Sequence, residues 1–149
     1  MTTFQKVLLR GVIFALIITL LTPNTWIDRV PVWLLIIAFV ITRILDVHST
    51  MMGVRHYGLA GEQNPGARWI IQRFGFKGII VVQIIGATAL IPLLYVMHAI
   101  SGRVAFFIVV FFAHPPIFNY LALTLSTKID ESDSFTIHPR SRDKNYWQW

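Results

Sequence analysis

Four runs of apolar residues, at 5–22, 31–51, 78–98 and 103–124, take up more than half of the 149-residue chain. Each matches the roughly 17–25 residues with which a helix crosses a hydrocarbon layer of about 30 Å. A chain this small cannot bury so much apolar surface in a core of its own: 55% of its residues are hydrophobic, 13% are charged and the mean hydropathy is +0.62, outside the range of a soluble domain. The runs are continuous rather than alternating, which excludes the roughly ten-residue strands of an outer-membrane barrel. The sequence predicts an all-α polytopic membrane protein: a four-helix transmembrane domain over 1–127 and a cytoplasmic tail over 128–149. Lys6 and Arg10 ahead of the first run imitate a secretory signal. No small-x-small cleavage site follows, and Leu21-Thr22-Pro23-Asn24 reads as a helix end and turn, so this run is taken as a span.

The net charge of +6 is explained by where the charges fall. With an inside N-terminus and four spans, Lys6, Arg10, Arg55, Arg68, Arg73, Lys77, Lys128, Arg140, Arg142 and Lys144 lie on the inner side. Only Arg29 and Arg103 fall in outer loops, and Arg43 is inside a span. That asymmetry follows the positive-inside rule and places both termini in the cytoplasm. A basic inner face beside anionic lipid accounts for the charge without nucleic acid. The absence of cysteine removes disulfides, thiolate metal sites and a cysteine nucleophile.

The second span opens at Pro31 and continues past the membrane to about Tyr57, with Trp26 and Trp33 in an outer aromatic belt. It carries Arg43, Asp46 and Thr50 at i, i+3 and i+7, on one helical face, while His48 points elsewhere. Gly58 and Gly61 allow a reversal, and Asn64-Pro65 leads into a short segment, 66–74, patterned as a helix lying in the inner interface and ended by Gly75. The third span is apolar apart from Gln83, Thr88 and His98. In the fourth, Ala113-His114-Pro115-Pro116 removes two backbone N–H groups, so carbonyls near residues 110–112 need other donors. Two outcomes follow: a kink in which His114 bonds a freed carbonyl, or a second half-helix starting at Pro115 and aimed at a polar pocket.

Counting about 1.5 Å per residue puts Asp46, Gln83 and Asn119 at one level, each about 8 Å inside the cytoplasmic boundary. An ionisable group in a span costs roughly 2.5–3.5 kcal/mol at the centre and is a functional candidate by default. The candidate polar site is therefore Arg43, Asp46, Thr50, Gln83 and Asn119, with Glu62 and Asn64 on a loop able to fold over it. Asp46, Glu62 and His114 are the candidate catalytic groups, and no metal or cofactor is specified.

Asp46, Ser49, Thr50, Gly61, Glu62, Asn64 and Pro65 form a D-x-x-S/T-T … G-x-E-x-N-P pattern. It resembles that of a family of small, uncharacterised prokaryotic integral membrane proteins, over about residues 35–125, with Asn119 a later match. The resemblance implies a four-span fold in a prokaryotic cytoplasmic membrane and no particular reaction. His48 and the His114-Pro115-Pro116 break lie outside the pattern, so it implies no metal role for them.

Three functional readings are open. The first is a membrane accessory or structural subunit with a polar site, meeting lipid and protein partners through the aromatic face of Phe106, Phe107, Phe111 and Phe112 and through Tyr146, Trp147 and Trp149. The second is an intramembrane hydrolase or transferase using Asp46 or Glu62 as base or metal ligand, His114 as acid or ligand, and Asn64 and Asn119 as orienting donors. No HExxH, Gly-x-Ser-x-Gly or Ser-Lys signature accompanies it. The third is an ion-binding or transport protein with the same residues, for which four spans require a homo-oligomer.

Overall fold

A computed structural model describes residues 3–62 and 64–132. The aromatic tail residues Tyr146, Trp147 and Trp149 lie outside the described residues, as does Gln63. The described chain is helical, without strands: α1 (Thr3–Leu21), α2 (Asn24–Ile27), α3 (Val32–Tyr57), a 3-10 turn (Leu59–Gly61), α4 (Pro65–Ile100) and α5 (Gly102–Ser132). Three helices are long and apolar enough to cross a membrane, namely α3, α4 and the Gly102–Leu125 part of α5. The fold is thus compatible with an integral membrane protein. Of the four expected runs, the first forms the shorter α1, whose first half carries Lys6 and Arg10.

The hub is α5. It packs most extensively on α3, then on α1, and α4 leans on both α3 and α5. Leu35, Phe39, Leu94, Ala105 and Val109 are buried where α3, α4 and α5 meet. A second apolar cluster, Val54, Ile71, Phe76 and Ile79, ties the extension of α3 to the beginning of α4.

The short helix expected at 66–74 exists as an arm of α4. At Gly75 the backbone leaves helical geometry, with φ 64° and ψ −166°, a left-handed φ that favours glycine. Beyond this corner Gly78 is required sterically, because a Cβ there would meet Phe74 Cβ at 2.6 Å and Ile70 Cγ2 at 2.9 Å. The arm is amphipathic: Ile71 is buried, while Trp69, Gln72, Arg73 and Phe74 are exposed. By contrast, Pro115 and Pro116 do not break their helix. The expected half-helix from Pro115 is replaced by an α5 that runs continuously through both prolines.

Close approach holds α1 to α5. Gly11, Ala15 and Thr19 recur every fourth residue; Ala15 and Thr19 are buried, and a Cβ on Gly11 would lie 3.1 Å from Phe111 Cε2 and 3.3 Å from His114 Nδ1. Small residues in this spacing let two helix backbones come together where lipid offers no hydrophobic drive for association. Just beyond α1, Ile27 sits against Gly102 at the start of α5. Gly11 opposite His114 and Ile27 opposite Gly102 make α1 and α5 antiparallel.

Gly11→Leu is expected to lower stability by about 1–3 kcal/mol, the usual cost of overpacking, in detergent-monitored unfolding. Gly53→Leu is the control, since nothing lies within 4 Å of a Cβ at Gly53. Equal effects at the two positions would refute the close-packed seam.

Candidate functional site

Removing the N–H of residue 116 frees the carbonyl of residue 112, the acceptor four residues back. In α5 that carbonyl, of Phe112, accepts a hydrogen bond from Nη2 of Arg43 on α3. The donor missing from the backbone of one helix is supplied by a side chain of another. The guanidinium also sits 4.6 Å from the centre of the Phe112 ring and 5.7 Å from that of Phe39, within cation–π range.

The other terminal nitrogen, Nη1, faces Asp46 Oδ2 at 3.4 Å and Gln83 Oε1 at 3.5 Å. Gln83 on α4 closes the set by donating from Nε2 to Asp46 Oδ2 at 2.8 Å. One amide thus accepts from the arginine and donates to the aspartate, which suits the two ends of a glutamine. The Arg43 and Asp46 side chains are only 10% and 14% exposed. At that burial an uncompensated charge is expensive, whereas a paired and hydrogen-bonded one is tolerated. The set spans α3, α4 and α5 and forms a polar lock.

A second layer lies one turn further along α3. Ser49, fully buried, donates from Oγ to the Asp46 carbonyl at 3.1 Å and accepts from Asn119 Nδ2 at 3.2 Å. Asn119 therefore joins the site through Ser49 and the backbone of Asp46. Ser49 is the site residue that the face-based reading passed over. Its spacing of i+3 from Asp46 was the available signal, and the azimuth of α5 decides that position 49 is the one facing Asn119. Thr50 is half-buried and does not belong to this hydrogen-bonded set.

The remaining sequence candidates are placed elsewhere. Asn64 Oδ1 accepts from the backbone N–H groups of Gly66 at 3.0 Å and Ala67 at 3.3 Å, and so caps α4. Glu62 Oε1 accepts from the Asn64 N–H at 2.8 Å, while Arg68 donates to the carbonyls of Ala60 and Glu62. The expected cover over Asp46 is thus replaced by a loop turned onto the start of α4, because an exposed helix N-terminus has orphan N–H groups that an Asn side chain satisfies. His114 lies in the α1 seam, with ring centres 5.8 Å from Phe14 and 4.5 Å from Phe118. Its Nε2 is buried without a hydrogen-bond partner, so the expected bond from His114 to a freed carbonyl is not formed; the Phe112 carbonyl is taken by Arg43. His48 faces away from the lock, with Nδ1 2.6 Å from Tyr120 Oη.

Asp46, Glu62 and His114 consequently stand in three different surroundings. Among the described residues, no three His, Cys, Asp or Glu side chains come together to hold a metal ion. Comparison of the chain with family profiles, with curated proteins and with solved structures finds no match. The likeness carried by Asp46, Ser49, Thr50 and the 61–65 loop rests on that pattern alone. The class defined by fold and site is a small helical-bundle protein with three apolar, membrane-length helices and a buried ion pair on one of them that is hydrogen-bonded to the other two.

Replacing Arg43 by Met should cost about 3–5 kcal/mol, because Asp46 is left buried without its partner. In a Pro116→Ala background, where a backbone N–H again reaches the Phe112 carbonyl, the same change should cost about 0.5–1.5 kcal/mol less. Additivity in this double-mutant cycle, read from detergent unfolding, would contradict the pairing of Arg43 with the proline-freed carbonyl.

Proposed function

We propose that the protein is a four-span integral membrane subunit of a prokaryotic cytoplasmic membrane with a structural or accessory role. Its polar lock fixes the bundle rather than turning over a substrate. The supporting observation is mutual engagement: Arg43 is met through its terminal nitrogens by Asp46, Gln83 and the Phe112 carbonyl, its Nε alone being buried without a partner, and Gln83 uses both ends of its amide. A candidate base in the bilayer needs a reacting group within hydrogen-bond reach. Asp46 is instead turned to Arg43 and Gln83.

In this reading α1 is the fourth span. It runs antiparallel to α5 along the Gly11, Ala15 and Thr19 seam, and the turn after it reaches the start of α5. The excess of basic residues on one side orients both termini to the cytoplasm. The arm 65–74 then lies at the inner interface, packed by Ile71 on the extension of α3. Outward-facing apolar side chains, such as Leu21 at 75% exposed and Ile85 at 64%, meet lipid or a protein partner, including a second copy of the chain.

Reporter fusions should show both termini inside and the 22–24 turn outside; an inside location for that turn would remove the fourth span. The paired change Arg43→Met with Asp46→Leu, which removes both charges, should preserve insertion, folding and the cellular phenotype. A folded, inserted double variant that loses the phenotype would reinstate a chemical role for Asp46. Deleting residues 140–149, which include Tyr146, Trp147 and Trp149, should release a co-purifying protein.

A further inference from the structure

From the corner at Gly75 we infer that the outer face of the α4 arm is a binding site for anionic phospholipid headgroups. The inference rests on the interfacial placement of the arm proposed above and adds the chemistry of what it meets. Trp69 and Phe74 are 55% and 57% exposed, and their rings meet edge to face at 5.9 Å. Such a pair covers its own flank yet leaves an apolar surface outward, as interfacial anchors do. The guanidinium carbon of Arg73 lies 6.0 Å from the centre of the Trp69 ring, which keeps a cation beside the anchor. Lys77 is exposed in the first turn beyond the corner, and its long side chain can return to the headgroup level.

Two cations therefore flank the point where the arm turns into the span, next to an aromatic pair. Charge complementarity selects the occupant. No Asp or Glu occurs anywhere in α4, and the nearest acid in sequence, Glu62, directs Oε1 to the Asn64 N–H. The inner side of the arm is already occupied: Ile71 packs with Val54, Phe76 and Ile79. The outer face is thus presented in a fixed position, and a lipid phosphate meets two cations without first ordering the segment.

The chain has no cysteine, so Gln72→Cys provides a unique label position on the exposed side of the arm. Full-length protein labelled there with an environment-sensitive fluorophore is placed in nanodiscs containing headgroup-spin-labelled lipid, either phosphatidylcholine or an anionic analogue at equal mole fraction. Quenching by both, with the anionic lipid enriched about fivefold or more and the enrichment falling to parity in Arg73→Gln/Lys77→Gln, is the expected result. Equal quenching by the two lipids in the unsubstituted arm would overturn the anionic site and leave the interfacial placement standing. So would enrichment that survives the double charge removal. An absence of quenching by either lipid would overturn the interfacial placement and the site with it.

Discussion

The hydrogen bond from Arg43 to the Phe112 carbonyl is the constraint from which the rest of the bundle can be understood. Two adjacent prolines within an apolar helix leave acceptors that no lipid can satisfy, and α5 nevertheless continues through them. It does so with α3 pressed against it, because the compensating donor is on α3. That donor is a full charge, which in turn demands Asp46, and Gln83 bonds both members of the pair. A defect in one helix thereby recruits residues from two others, and the register among α3, α4 and α5 is specified by a polar set that has few alternative pairings.

Steric fit completes what the polar set begins. Gly11, Ala15 and Thr19 give α1 a shallow face on which Phe111 and His114 can lie. At the opposite edge Gly75 and Gly78 make the corner that turns the arm out of the α4 span. The 61–65 loop belongs to this second device: Glu62 and Asn64 build the start of the arm instead of closing a site, and Arg68 binds the loop carbonyls from within the same helix. The motif residues that look like chemistry are used here as backbone caps. Caps of this kind satisfy orphan N–H groups locally and need no partner from the bundle.

Much of the architecture was legible in sequence because membrane constraints act on composition and spacing. The spans at 31–51, 78–98 and 103–124 correspond to α3, α4 and α5, and the amphipathic segment ended by Gly75 is the arm. The level shared by Asp46 and Gln83 follows from a fixed rise per residue. Asn119 shares it too, but which α3 residue it meets depends on the rotation of α5 about its own axis. Neither depth counting nor the i, i+3, i+7 spacing along α3 holds information about that rotation, so the face-based reading includes Thr50 and leaves out Ser49. The seam at Gly11, Ala15 and Thr19 forms no part of the sequence reading, because a row of small residues becomes a contact only once packing supplies its partner face.

Sequence alone determined that this chain is helical, apolar over membrane-length runs and asymmetric in charge, because each of these is a property of residues counted along the chain. It also determined that the two prolines of α5 must leave carbonyls in need of donors. Only the tertiary structure decided which donor answers. His114 stands next to the prolines in sequence, yet its place on α5 turns it toward α1, and Arg43 reaches the Phe112 carbonyl from a neighbouring helix. The reason is geometric: hydrogen bonding requires approach to about 3 Å in the right direction, and direction is set by how helices pack, not by how far apart residues lie in the chain.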